Sequence, residues 1–244
     1  MKKILMSGGA GNLAKHIIGA NQEYDIYAPT RSEMDVSSYD QVEAWIEKIN
    51  PDIFLHCGAF TRPMNKHQKY PVTSIKTNIV GTSNVAMSCI KNNVKLVYIS
   101  TDYVYPGTEG NYRENDPIGP IEGKSDGVSK YGWSKLGGEC ATRIHDNSLI
   151  IRACICNSPF PHPRAASDIK KSLMFDYEAA PIILMLLNET GIINVGGDSC
   201  TVYEFASKYN PSIEKIKSSE ILDVKISPDT SMCTKKMKKI IEYY

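Results

Sequence analysis

Residues 3–16 read Lys-Ile-Leu-Met-Ser-Gly-Gly-Ala-Gly-Asn-Leu-Ala-Lys-His, and this stretch limits the fold more than any other. Ile4, Leu5 and Met6 form a short apolar run without polar alternation, the pattern of a strand covered by helices on both faces of a parallel sheet. Gly8, Gly11 and Ala14 follow at G-x-x-G-x-x-A spacing. That spacing permits a tight turn, a close backbone approach to a pyrophosphate, and close seating of the next helix on the strand. The helix N-terminus then presents free N–H groups and a positive dipole end, so Gly8, Gly11, Asn12 and Leu13 are the candidate phosphate contacts. Glycines mark ordinary turns more often than cofactor sites, so the weight rests on position: strand before, helix after.

At 244 residues the chain is long enough for one large domain with an ample core. Its 28 basic and 27 acidic residues leave a net charge of +1, which gives no general drive toward nucleic acid or an anionic membrane and favours a small-molecule partner. The Met-Lys-Lys start meets only three strongly apolar residues before Ser7, and the apolar run Pro181 to Leu187 is too short to span a bilayer. A cytoplasmic protein is expected. The seven cysteines are odd in number and contain no C-x-x-C pair, which reads as reduced thiols. Cys154 and Cys156, with no histidine cluster nearby, make a poor zinc site, and no metal is expected.

A second strand, Asp25 to Ala28, ends at Pro29-Thr30-Arg31. Where dinucleotide-binding folds often carry an acidic residue for the ribose, this chain offers Thr30, Arg31 and Ser32, a cation and hydroxyls suited to a 2′-phosphate. A solvated loop arginine reads equally well there. Ser37 or Ser38 can cap a helix whose Val42, Trp45, Ile46 and Ile49 fall at i, i+3, i+4, i+7, and Asn50-Pro51 stops it. A strand over Ile53 to Cys57, with His56 as a core histidine, leads to Gly58 and Ala59, small residues against which a cofactor can lie.

A polar loop containing Arg62, Pro63 and His67 precedes a helix from about Val72 to Lys91 and a strand from Val94 to Ser100. A long Gly/Pro-rich loop then runs to about Val128, before a helix over Ser129 to His145 and a strand over Leu149 to Cys154. The alternation predicts an α/β fold, a doubly wound parallel sheet of the dinucleotide-binding Rossmann type over residues 1–156. Residues 157–244 are less regular: an apolar helix over Glu178 to Asn188 with Pro181 in its first turn, a strand over Ile192 to Val195, a helix capped by Thr201, and a lysine-rich terminal helix. They read as a short substrate-binding lid packed on the sheet.

Tyr131 and Lys135 lie four apart on a predicted helix, hence on one face. A nearby ammonium stabilises tyrosinate, which lets the hydroxyl exchange a proton with a carbonyl or alcohol near neutral pH, and Thr101 at a strand end can bond the same oxygen. With 14 tyrosines in this chain, roughly one such Tyr-x-x-x-Lys pair arises by chance. Its conjunction with the N-terminal glycine turn and with Ser100-Thr101 about 30 residues upstream is what gives it weight.

Three segments, Thr30-Arg31-Ser-Glu-Met-Asp35-Val36, Ser100-Thr101-Asp-Tyr-Val-Tyr105 and Tyr131-Gly-Trp-Ser-Lys135-Leu-Gly-Gly-Glu139, resemble the extended short-chain dehydrogenase/reductase family, and within it the dTDP-4-dehydrorhamnose reductase branch of sugar-nucleotide reductases. The resemblance implies that Thr101, Tyr131 and Lys135 are catalytic, with Lys135 also holding the nicotinamide ribose. It implies that Asp35 and Val36 meet the adenine, that Cys57, Gly58 and Ala59 flank the cofactor, and that Asn78 belongs to the cofactor side behind the triad. Thr61 and Tyr103 match positions that touch the sugar nucleotide. The implied activity is reduction of a nucleotide-linked 4-keto-6-deoxy sugar for deoxysugar or surface polysaccharide synthesis, with NADP as cofactor and NAD admissible.

A non-catalytic dinucleotide-binding regulatory subunit and an NAD-dependent sugar-nucleotide epimerase are the alternatives, and a homodimer stays open. The chain departs from the family in Ala14 for the third glycine, in Ile155 and Cys156 where an aromatic is expected, and in its short substrate part.

Overall fold

The structure, a computed structural model, describes residues 1–61, 63–121, 128–221 and 226–243. Mainly apolar segments become the strands β1 (Lys2–Ser7), β2 (Tyr24–Tyr27), β3 (Ile53–His56), β4 (Lys95–Thr101), β5 (Ser148–Ala153) and β6 (Gly191–Val195). They form one parallel sheet in the order β6-β5-β4-β3-β1-β2. The chain therefore leaves β1 toward one edge, returns to β3, and continues to the other edge. The order reverses between β1 and β3, and ligands of open α/β sheets bind outside the strand ends at such a reversal.

Both faces are covered. Ile4, Met6, Ile53, Leu55, Val97, Ile151 and Val195 pack with α1 (Asn12–Ala20) and, further along the chain, with Ala179, Ile183 and Leu186. Leu5, Phe54 and Leu96, which alternate with them, face Val42, Ile46 and Ile49 of α2 (Tyr39–Ile49) and Val85, Ala86 and Cys89 of α3 (Gly81–Lys91). Alternation between two buried faces is why the strands read as unbroken apolar runs. Asn50 ends α2 in the left-handed region, φ 48°, a conformation asparagine tolerates.

The helix expected from Val72 to Lys91 is present but not uniform. An α turn at Pro71–Ser74 passes into a π-helical stretch at Ile75–Val80 and then into α3. Gly81 sits at the junction, where a Cβ would come within 2.8 Å of Val36 Cγ2, so the wide turn and the glycine together bring this helix against the residues after β2. Such π segments recur at functional sites. His67, expected in a polar loop, is instead buried in a short helix, Asn65–Lys69.

After the long loop, α4 (Lys130–Thr142) starts behind Ser129, whose hydroxyl accepts from Gly132 N–H at 3.1 Å. The part of that loop at residues 122–127 lies outside the described residues. The segment beyond residue 156 does not only lie over the sheet: β6 is its sixth strand, and α5 (Asp176–Leu186) packs on α1. Pro181 is the sixth residue of α5 and so falls past the first turn, because the helix begins two residues earlier than Glu178. The Glu178 carboxylate accepts from Phe175 N–H at 2.9 Å and sets that earlier start.

Three small pairs complete this part: Ile155–Cys156 with Met174–Phe175, Arg164–Ala166 with Glu214–Ile216, and Lys170–Lys171 with Cys200–Thr201. Thr201 caps α6 (Val202–Ser207) by accepting from Glu204 N–H at 3.1 Å. The lysines of α7 (Lys235–Ile241) are exposed.

Candidate functional site

At the β1/β3 reversal the backbone leaves no room for side chains. Gly8 has φ +76°, and a Cβ there would lie 2.9 Å from Gly58 Cα; a Cβ on Gly9 would lie 2.0 Å from Ala28 O. Gly11 N–H donates to Gly8 O at 2.8 Å and closes the turn. Gly11 is also the N-cap of α1, and no side chain caps that first turn, which leaves the N-terminal N–H groups at Asn12 and Leu13 without a side-chain acceptor. A dinucleotide pyrophosphate fits such a cradle: small residues admit its close approach, and the helix end supplies donors. Cys57, Gly58 and Ala59 lie half-buried on the opposite side, with Gly58 N–H donating to Ser7 Oγ at 3.1 Å. Burial pushes the Cys57 thiol up to about 12, away from the thiolate form.

The segment after β2 carries the exposed Arg31, whose Nε stands 3.5 Å from Asp35 Oδ2. Burial pushes the Asp35 carboxyl up, but bonds from the Ser37 N–H and hydroxyl and the Arg31 charge outweigh it and hold the carboxyl below its ordinary range. Val36 is buried, and its carbonyl accepts from Asn84 at 2.9 Å. Arg31, Asp35 and Val36 are thus held together beside the open cradle.

The second half of the site sits where β4 meets α4. Thr101 ends β4; its hydroxyl donates to Asp102 Oδ1 at 3.1 Å and accepts from Tyr103 N–H at 3.3 Å. Tyr131, Lys135 and Glu139 recur every four residues along one face of α4. That face lies directly on the strand: a Cβ on Gly132 would be 2.3 Å from Tyr103 O, and one on Gly138 would be 2.4 Å from Tyr98 Oη. Tyr131 stands between His67 and Tyr103, with ring centroids 5.0 and 5.9 Å away. Lys135 is 2% exposed, with its Nζ 4.1 Å from the centre of the Tyr98 ring. Burial lowers its ammonium to about 7, against a smaller upward pull from Glu139.

Below them Glu139 accepts from Ser100 Oγ at 2.6 Å and pairs with Arg152 Nη2 at 2.8 Å, both ions fully buried. Arg152 also donates to Tyr105 Oη and Glu114 O. This pair fastens α4 to β4 and β5, and thereby fixes where Tyr131 and Lys135 stand.

Asn78, on the π-helical stretch, donates to Phe60 O and Ser134 Oγ and accepts from Phe60 N–H, so its amide clamps the loop after β3 to α4. Thr61 is exposed at the end of that loop, and its carbonyl is held by His67 Nε2 at 3.1 Å, while His67 Nδ1 pairs with Ser74 Oγ at 2.8 Å. Burial lowers the His67 pKa. His56 is a satisfied core histidine, bonded to Ser7 and Thr82.

Two residues at the site carry no local signal. His67 lies in a polar stretch without periodicity, and Lys171, whose Nζ is 3.8 Å from the Tyr103 ring centre, lies in a Lys-Lys pair that no motif singles out. Among the described residues no group of three or more His, Cys, Asp or Glu is placed to hold a metal, and no helix is long and apolar enough to cross a membrane.

The RmlD substrate binding domain family matches residues 1–156. The chain is 27% identical over 157 residues to a dTDP-4-dehydrorhamnose reductase of Aggregatibacter actinomycetemcomitans, covering 62% of this chain and 51% of that protein. It is 27% identical to the methionine adenosyltransferase 2 subunit beta of Xenopus tropicalis, over 60% of this chain and 44% of that protein. The matched region thus spans about half the length of these curated relatives. Among solved structures, the dTDP-4-dehydrorhamnose reductase of Bacillus anthracis in complex with NADP superposes with a TM-score of 0.85, covering 98% of this chain and 92% of that one at 23% identity. At that identity the superposition shows a shared fold.

Proposed function

Since the chain belongs to the RmlD substrate binding domain family, we propose that it is an NADPH-dependent reductase of a nucleotide-linked 4-keto-6-deoxy sugar, serving deoxysugar synthesis. The observation that carries this reading is the gathering of Thr101, Tyr131 and Lys135 around the β4–α4 contact, with the glycine cradle at the neighbouring strand reversal. Residues 1–156 hold the cofactor in this reading, and residues 157–244 complete the sheet and the substrate side.

A bound nicotinamide would supply the hydride. Gly8, Gly11, Asn12 and Leu13 receive the pyrophosphate, Arg31 the 2′-phosphate, and Asp35 and Val36 the adenine. Cys57, Gly58 and Ala59 line the dinucleotide, Asn78 keeps their loop in place, and Lys135 bonds the ribose. Tyr131 delivers a proton to the carbonyl oxygen while Thr101 orients that oxygen, so the donors act where negative charge develops. An ammonium lowered to about 7 is part-protonated at neutral pH, which suits Lys135 to replace the proton that Tyr131 gives up. Thr61 and Tyr103 face the sugar nucleotide. NAD is a poorer fit because Arg31 stands where an acidic residue would favour a free ribose.

The relative named as a subunit of methionine adenosyltransferase keeps a second reading in view, a dinucleotide-binding subunit without turnover. The deciding assay follows the loss of NADPH absorbance with 4-keto-6-deoxy derivatives of dTDP-, UDP- and GDP-hexoses. One of them is reduced, and Tyr131→Phe abolishes turnover while NADPH still binds. Failure to reduce any of the three with NADPH demonstrably bound defeats the reductase reading and leaves the subunit reading.

A further inference from the structure

Lys171 lies outside residues 1–156, the part the family covers, in a two-residue strand that its neighbour Lys170 leaves on the exposed side. Lysine is almost never buried unless paired, yet Lys171 is 6% exposed. Its ammonium donates to Asp102 Oδ2 at 2.6 Å and to Thr230 Oγ1 at 2.8 Å, and it stands over the Tyr103 ring. Thr230 in turn donates to Asp102 Oδ2. Asp102 is 2% exposed and turns its other oxygen, Oδ1, to the Thr101 hydroxyl. Two distant segments of the chain, around Lys171 and Thr230, therefore converge on the carboxylate beside Thr101.

The consequence follows from the single proton on the Thr101 hydroxyl. While that proton points at Asp102 Oδ1, it is not available to a substrate oxygen, and its release is easier the less charge the carboxylate carries. The two donors on Oδ2 take up that charge. In a buried site an unpaired carboxylate would also oppose the negative charge that develops on the substrate oxygen. We propose that Lys171 is a positioning residue for the reduction: by neutralising Asp102 it frees the Thr101 proton for the substrate oxygen, and its ammonium seats the Tyr103 ring at the substrate side. The proposal rests on the reductase reading above.

The test is a double-substitution cycle on the full chain, with NADPH and whichever 4-keto sugar nucleotide the wild type reduces. Lys171→Met lowers kcat by about 100-fold, the order of losing one hydrogen-bond donor to the developing oxyanion, with the KM for NADPH nearly unchanged. Lys171→Met with Asp102→Asn carries no unpaired charge and recovers kcat to within about tenfold of wild type. If the single variant does not fold, the double variant carries the test by itself, and recovered turnover supports the proposal. An active wild type whose Lys171→Met variant keeps its kcat overturns the proposal. So does a folded double variant no better than the single one, or itself inactive, since Lys171 would then act by some other contact than its charge on Asp102. A wild type that binds NADPH but reduces none of the sugar nucleotides defeats the reductase reading, and this inference falls with it.

Discussion

Replacing Lys135 by methionine is expected to make the cofactor-free protein more stable while weakening its hold on NADPH. The buried ammonium is lowered from 10.5 to about 7, chiefly by burial. In the unfolded chain the amine keeps its proton up to the higher value, whereas in the folded protein it releases it near the lower one. Folding therefore expels a proton between the two. Stability that is whole above about 10.5 is lost progressively as the pH falls, and the loss is complete near and below 7. The interval corresponds to about 5 kcal/mol.

Methionine removes that cost, fills a similar volume and has a similar helix propensity, but forfeits the desolvated cation–π contact with Tyr98, about 2 kcal/mol. The net gain is about 3 kcal/mol at pH 7, or roughly 6–12 °C in Tm for a chain of this size. Urea titrations of both apo proteins at pH 7 and near pH 10, with NADPH affinity by fluorescence, measure it. The advantage of the variant shrinks toward alkaline pH. A variant equal to or less stable than wild type at pH 7, or an advantage that does not change with pH, refutes the reasoning that Lys135 is held against its own desolvation.

Glu139→Gln leaves the fully buried Arg152 guanidinium without its counter-charge and is expected to cost about 3–5 kcal/mol in urea unfolding; a loss under about 1 kcal/mol contradicts the role given to this pair. Arg31→Ala should weaken NADPH about tenfold, roughly 1.4 kcal/mol, and leave NADH unchanged in fluorescence titrations. Equal losses for both cofactors would remove Arg31 from the 2′-phosphate site.

Local features were legible in the amino-acid order because their causes are local. Unbroken runs such as Ile53-Phe54-Leu55 record that both faces of a strand are covered, and Tyr131, Lys135 and Glu139 share a face because a helix turns that way. Gly8 announced a backbone turn that only glycine takes without strain.

Closure of the chain on itself decided the rest. Periodicity says that a face is covered but not by what, so the strand order, and with it the β1/β3 reversal that aligns Gly8 with Gly58, belongs to the tertiary structure. A histidine in a polar stretch and a lysine beside another lysine carry no sequence signal for burial. His67 became a brace between Thr61 and Ser74 when its short helix packed against Tyr131, and Lys171 was drawn inside by a carboxylate 69 positions earlier in the chain. The physical reason is the cost of taking a charge out of water, which makes exposure the default and burial possible only where a distant opposite charge and its hydrogen bonds offset that cost.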